Sequence, residues 1–350
     1  MLALALFFAV AFTLASVERS QAERIQGSGS TFAFPVISAW TKSFLEFRAA
    51  GSDFVFGDIG VDYEPIGSLG GVMRLAQPEV DFAASDAPLP PEELAKLDLA
   101  QFPIVIGGLA VVVNLEGVEP GRLKLGGDVL AQIYLGKVTS WNDPAVVAVN
   151  PDLSLPDLPI AVVHRGDGSG STLTWTRYLS AASAEWRERV GADTLVEWPK
   201  GTAAEGTAGM IAAVKQTAGA IGYMEFGQVG RAGLVYAQVG NRSGNFIAPG
   251  AENFAATAAK AAWDPERDFY LELTEVDAAD AYPLTAATFV MMHKSERSVA
   301  RTRRTLFFLS HALERGGEEA AGLGYVPLPE PLVRKVKDYW HSTLPGGAGL

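Results

Sequence analysis

Three short turns rich in glycine and hydroxyl residues constrain this chain more than any other feature. They are Gly27-Ser28-Gly29-Ser30-Thr31-Phe32, Gly67-Ser68-Leu69-Gly70-Gly71 and Arg165-Gly166-Asp167-Gly168-Ser169-Gly170-Ser171-Thr172. Each follows a strand-like run: a strand opening at Ile25, Val61–Glu64, and Ile160–Val163. Amphipathic runs follow. Val36, Ile37, Trp40, Phe44 and Phe47 recur at helical spacing after the first turn, as do Trp175, Tyr178, Leu179 and Ala182 after the third. Strand, turn and helix in alternation predict an α/β fold. A helix N-terminus carries unpaired backbone N–H groups and a partial positive charge, which suits it to anions. Glycine lets the backbone approach closely, and hydroxyls add donors. Three such turns meeting at one point would cage a small oxyanion such as phosphate.

Two charged positions sharpen this reading. Arg165 supplies a planar fork of donors suited to oxyanion oxygens, and Asp167 can hold it in place. A surface ion pair is the competing interpretation, and such pairs stabilise little. Asp86 ends the short strand Val80–Ser85, and an ionised carboxylate only accepts hydrogen bonds. Within an anion cage it makes sense only if the ligand brings a proton. Phosphate has an O–H at neutral pH and sulfate does not, so Asp86 would repel sulfate. The alternative role is a cap for the helix opening at Pro90-Pro91-Glu92-Glu93.

The 350 residues suffice for two domains. Residues 1–22 read as a secretory signal peptide: Leu2–Leu14 is apolar but too short to span a bilayer, and small residues follow at Ser20-Gln21-Ala22. The chain has no cysteine, which excludes disulfides and thiolate chemistry. Secretion without disulfides fits a Gram-negative periplasm. A net charge of −12 argues against nucleic acid, and it means that an anion must be held by short-range bonds. Catalytic signatures are missing. There is no Gly-x-Ser-x-Gly elbow, no P-loop, and no pairing of His164, His293, His311 or His341 at metal-ligand spacing. The run Arg301, Arg303, Arg304 reads as an exposed helix face.

Two apolar runs, Ile104–Val113 and Thr288–Met292, suit buried strands and could carry the chain between two lobes. The alternative is two core strands of one large domain. Asn150–Pro159 and Pro199–Gly209 read as loops within the second lobe.

The segments GSGSTFAFPV from Gly27, GSLGGV from Gly67, DFAASDAPL from Asp81 and FPIVIGGLAVVVN from Phe102 together resemble the PstS family, the periplasmic phosphate-binding proteins of the phosphate ABC importer. So do IYLGKVTSWNDPA from Ile133, AVVHRGDGSGST from Ala161, GAIGYMEF from Gly219 and TFVMMHK from Thr288. The resemblance implies a two-lobed α/β clamshell with two interlobe crossings. Lobe 1 would comprise residues 23–106 and 286–350, and lobe 2 residues 107–285. It implies a phosphate site of Thr31, Phe32, Ser68, Asp86, Arg165, Ser169, Gly170 and Ser171, with Asp167 supporting the arginine. It further implies no catalysis, no cofactor, a monomer, and a membrane permease as partner. The chain departs from the family pattern at Ser30, where alanine is frequent, and at Ala204-Glu205-Gly206-Thr207, where Gly-Lys-Gly-Asn is common. That loop is outside the implied ligand set. The rivals are a secreted phosphatase using Thr31 or Ser169, a scaffold that has lost transport, and a receptor for another oxyanion such as arsenate.

Overall fold

The computed structural model describes residues 24–50, 60–274, 276–295 and 298–348. The expected signal peptide lies outside them.

One strand organises the molecule. β4 (Leu99–Val113) is buried at all fifteen positions, as its continuous apolar run requires. Up to Gly108 it pairs antiparallel with β12 (Thr285–His293). From Leu109 onward it pairs instead with β8 (Ala220–Glu225) and β9 (Val235–Tyr236). On the β12 side lie β3 (Phe82–Ser85), β1 (Ile25–Gly29) and β2 (Val61–Glu64). On the β8 side lie β6 (Ala161–Arg165) and β7 (Thr202–Ala204). The result is a nine-stranded mixed sheet that serves two lobes. β5 (Lys124–Leu125), β10 (Gln238–Gly240) and β11 (Phe246–Ile247) form a small separate sheet. Both apolar runs singled out from the sequence are thus strands at the junction, paired with each other.

The parallel strands set the polarity. β1 runs parallel to β2 and β3, and β6 to β7 and β8. Their carboxyl ends all feed turns that open helices, and open α/β sheets bind ligands at such ends. The helix Phe34–Ala50 follows β1 and buries Val36, Ile37, Trp40 and Phe44. Phe47 is exposed, because it lies on the flank of the helix, where it meets His311 and Arg315. The helix Gly170–Ala182 follows β6 and buries Trp175, Tyr178 and Leu179, while Ala182 stays exposed at its end. Behind β6, Trp175 stacks on Tyr223 at 5.1 Å, Trp198 stacks on His164 at 4.6 Å, and Tyr134 packs edge-on to Trp175 at 5.1 Å.

Three expectations need correction. Pro199–Gly209 is not all loop: it contains β7 and the start of the helix Gly206–Gln216. Arg301 is not idle on an open face. Its guanidinium binds Asp81 at 2.9 Å and the carbonyls of Pro78 and Glu79, tying its helix to the strand that leads to Asp86. Asp86 does not cap the helix Pro91–Leu97, whose N-cap is Pro90 with no side-chain bond. No helix among the described residues is long and apolar enough to cross a membrane.

Candidate functional site: an oxyanion cage between the lobes

The three turns meet. Leu69 N–H donates to the Gly168 carbonyl at 3.2 Å across the lobes, and Gly67 N–H donates to the Gly29 carbonyl at 2.9 Å. Two glycines make this approach possible. Gly67 has φ of 87°, and a Cβ there would lie 2.7 Å from an Asp167 carboxylate oxygen. A Cβ on Gly170 would lie 2.7 Å from Asp86 Cβ and 2.8 Å from Ser68 Oγ. Any side chain at Gly170 would therefore push the lobes apart.

Donors dominate the meeting point. The backbone N–H groups of Thr31, Phe32, Ser68, Gly170 and Ser171 have no acceptor among the described residues. For Gly170 and Ser171 this follows from their place in the first turn of a helix. Two hydroxyls are set to donate. Ser68 Oγ accepts Asp86 N–H at 3.2 Å, and Ser169 Oγ accepts Thr172 N–H at 3.4 Å, so each keeps its own proton for another acceptor. Phe32 is buried, and its carbonyl accepts from Tyr325 Oη at 2.6 Å, which fixes the direction of that turn.

The charges follow the same plan. Arg165 is only 3% exposed. Its Nε donates to Asp167 Oδ1 at 2.6 Å and one terminal nitrogen to Asp167 Oδ2, while Nη1 has no partner among the described residues. Burial works against the Asp167 anion, but the bonds to Arg165 and from Gly206 N–H prevail and hold it below the usual carboxylate range. The Arg165 backbone N–H donates to Tyr223 Oη, whose phenol burial pushes up to about 12. Asp86 is buried opposite. Thr288 Oγ1 donates to its Oδ1 at 2.6 Å and Ser30 Oγ to its Oδ2 at 2.6 Å. Burial raises Asp86 to about 6, against the pull of these hydroxyls and of Arg165. His164 stands aside, stacked on Trp198 with Nδ1 at 3.1 Å from the Arg165 carbonyl.

All nine residues expected at the site lie at this junction. Sequence reasoning missed three contributors. Ser30 and Thr288 hold Asp86, and Thr207 Oγ1 lies 3.1 Å from Thr31 Oγ1 across the lobes. The last sits in the altered loop, which therefore belongs to the site's rim. Among the described residues no group of three His, Asp or Glu is placed to hold a metal ion.

A PBP superfamily domain matches residues 16–307. The phosphate-binding protein PstS of Xylella fastidiosa strain Temecula1 is 41% identical over 327 residues, 93% of this chain and 87% of that protein. The chain belongs to the PstS phosphate-binding protein family. PstS of Haemophilus influenzae is 38% identical over 332 residues, 95% of this chain and 97% of its own length. Among solved structures, a phosphate-binding protein from Stenotrophomonas maltophilia superposes with a TM-score of 0.67 at 17% identity, covering 92% of this chain and 98% of that one. An ABC-type phosphate transport receptor from Vibrio cholerae gives 0.55 at 20% identity, covering 87% and 100%. At those identities the structures speak for the fold alone, and the curated relatives for the family.

Proposed function

We propose that this chain is a periplasmic phosphate receptor without catalysis, which holds inorganic phosphate between its lobes and delivers it to the permease of a phosphate ABC importer. One observation carries the reading: five backbone donors and one guanidinium gather round a single buried carboxylate at the carboxyl ends of four strands, β1, β2, β3 and β6. Neutral donors and one cation favour an oxyanion, and the carboxylate demands that the oxyanion carry a proton.

In this reading Thr31, Phe32, Ser68, Gly170 and Ser171 bind through backbone N–H groups, Ser68 and Ser169 also through hydroxyls, and Arg165 through the guanidinium edge that Asp167 leaves free. Asp86 accepts the ligand's proton and repels anions that lack one. Residues 1–22 direct export and are removed, and the mature chain acts as a monomer. The lobes divide as 23–106 with 286–350, and 107–285. The change of β4 pairing after Gly108 supports that division. The segment 263–269 rides on lobe 1, since Trp263 packs on Phe289 and Phe269 on Tyr339. Closure is a population shift driven by a ligand that both lobes grip.

The test is calorimetric titration of phosphate, with and without excess sulfate, into protein stripped of ligand by unfolding and refolding. Tight one-to-one binding that sulfate leaves untouched supports the reading. Competition by sulfate makes this a general oxyanion receptor, and absence of binding removes the proposal. Turnover of an aryl phosphate would point instead to a phosphatase. Thr31 and Ser169 have no base beside them among the described residues: their hydroxyls meet only Thr207 and the Thr172 N–H.

A further inference from the structure

Asp86 is gripped by hydroxyls from two segments far apart in the chain. Ser30 lies in the first turn and Thr288 in the return strand, 202 residues from Asp86. The direction of the Ser30 bond is fixed by its neighbour. Ser30 Oγ accepts Ala33 N–H at 3.0 Å, so its own proton points to the carboxylate. Both hydroxyl residues are 0% exposed. Each carboxylate oxygen thus takes one short hydroxyl bond from within the protein.

We infer that Ser30 and Thr288 are specificity-determining residues: their hydroxyls hold Asp86 as an accepting carboxylate, and so set how far into acid the protein separates a protonated oxyanion from an unprotonated one. The inference rests on the phosphate-receptor reading and deepens it. Hydrogen bonds donated to a carboxylate favour its ionised form, whereas burial favours the neutral acid. Asp86 is balanced between the two, at about 6. Removing one hydroxyl tips the balance toward the acid. A protonated Asp86 has an O–H to donate, and sulfate would then gain a bond where it had met a repelling charge.

The other groups that face Asp86 leave the hydroxyls as the adjustable part. Arg165 faces it from β6 and favours its ionised form. Ser68 accepts the Asp86 backbone N–H, and its hydroxyl also favours the ionised carboxyl, less than Ser30 and Thr288 do. Tyr63 from β2 and Tyr325 are both raised well above the usual phenol range, by burial first and by nearby carboxylates next, so neither carries charge between pH 5 and 8 (about two units below even an ordinary phenol).

The experiment measures phosphate and sulfate affinity from pH 5 to 8 by calorimetry for wild type, Ser30→Ala, Thr288→Val and Thr288→Ser, alongside the ¹³C titration of the Asp86 carboxyl without ligand. Thr288→Val keeps the shape and loses the donor, and it carries the test if Ser30→Ala fails to fold. The midpoint of the phosphate-to-sulfate ratio and the carboxyl titration should both move up by about one pH unit in Ser30→Ala and Thr288→Val, a tenfold change in the protonation equilibrium. Thr288→Ser should stay with wild type. Unmoved midpoints in the two donor-deleting variants overturn the inference, as does a Thr288→Ser that moves as far as Thr288→Val. A wild-type protein with no selectivity at any pH overturns the receptor reading itself, and the inference with it.

Discussion

Asp86 and Glu225 are both buried carboxylates at the end of a strand, yet their surroundings differ in kind. Asp86 has a hydroxyl on each oxygen and a guanidinium opposite. Glu225 ends β8 at the point where that strand meets Leu109 of β4. Its Oε1 takes Gly227 N–H, and its Oε2 has no partner among the described residues. Burial pushes Glu225 from 4.5 up to about 7, with Gly227, Arg231, Gln228 and Tyr325 pulling the other way, and it pushes Asp86 from 3.8 up to about 6. Burial raises both by a similar amount, and what differs is the company: Asp86 is held by two hydroxyls from distant segments and faces a guanidinium, Glu225 by a backbone N–H two residues on. The carboxylate in the cage has a hydroxyl on each oxygen; the one at the junction of β4 and β8 leaves one oxygen without a hydrogen-bond partner among the described residues.

The sharpest way to break that contrast is Arg165→Ala, which removes the cation facing Asp86 and leaves Asp167 unpaired. Phosphate affinity should fall by about 2–5 kcal/mol. Near-wild-type affinity in a calorimetric titration would take Arg165 out of direct contact with the ligand. Asp86→Asn should cut the phosphate-over-sulfate ratio by at least about tenfold, since an amide meets sulfate with a donor rather than a charge. A ratio unchanged in competition binding would show that selectivity lies elsewhere.

Glu225→Gln should act on stability alone. A carboxylate whose folded pKa lies above its unfolded value makes the protein lose stability as pH rises between the two. For Glu225 that window runs from 4.5 to about 7. Relative to wild type, the variant should gain nothing below pH 4.5 and about 3 kcal/mol above pH 7. Urea unfolding at both ends checks this, and an equal difference at both would remove Glu225 as the titrating group. The smallest effect is expected from Thr207→Val, which deletes the hydroxyl contact with Thr31. The closed form should lose about 0.5–1.5 kcal/mol, read as a phosphate affinity down by about tenfold or less. No change would leave the altered loop without a part in closure.

What the sequence could tell follows from how far each contact reaches along the chain. The turns were legible because glycine, hydroxyls and charge sit side by side at Gly27–Phe32 and Arg165–Thr172, and the strand-to-helix switch happens within them. β4 was legible because it is buried on both faces and so reads as one apolar run. Thr288 was not, since a threonine in a buried strand carries no mark until its partner is known. Thr207 lies 176 residues from Thr31, and only the meeting of the lobes gives it a role. Glu225 was hidden for the same reason: its meaning comes from Leu109, with which it pairs, and from Leu323, whose carbonyl lies against Gly227, both distant in sequence. Phe47 misled because helical spacing does not say where the apolar face of a helix stops being covered.

The aromatic stack behind β6 has a practical consequence. Tyr223 Oη receives the Arg165 N–H and lies 2.7 Å from Thr172 Oγ1, while its ring lies flat against Trp175. An indole is therefore one ring removed from the turn that carries Arg165, and two more, Trp186 and Trp198, lie within the same cluster. Any tightening of that turn alters the surroundings of these emitters. Intrinsic fluorescence is therefore expected to change when phosphate is added, with no label attached, and an emission spectrum that phosphate leaves unchanged would show that the stack does not sense the turn.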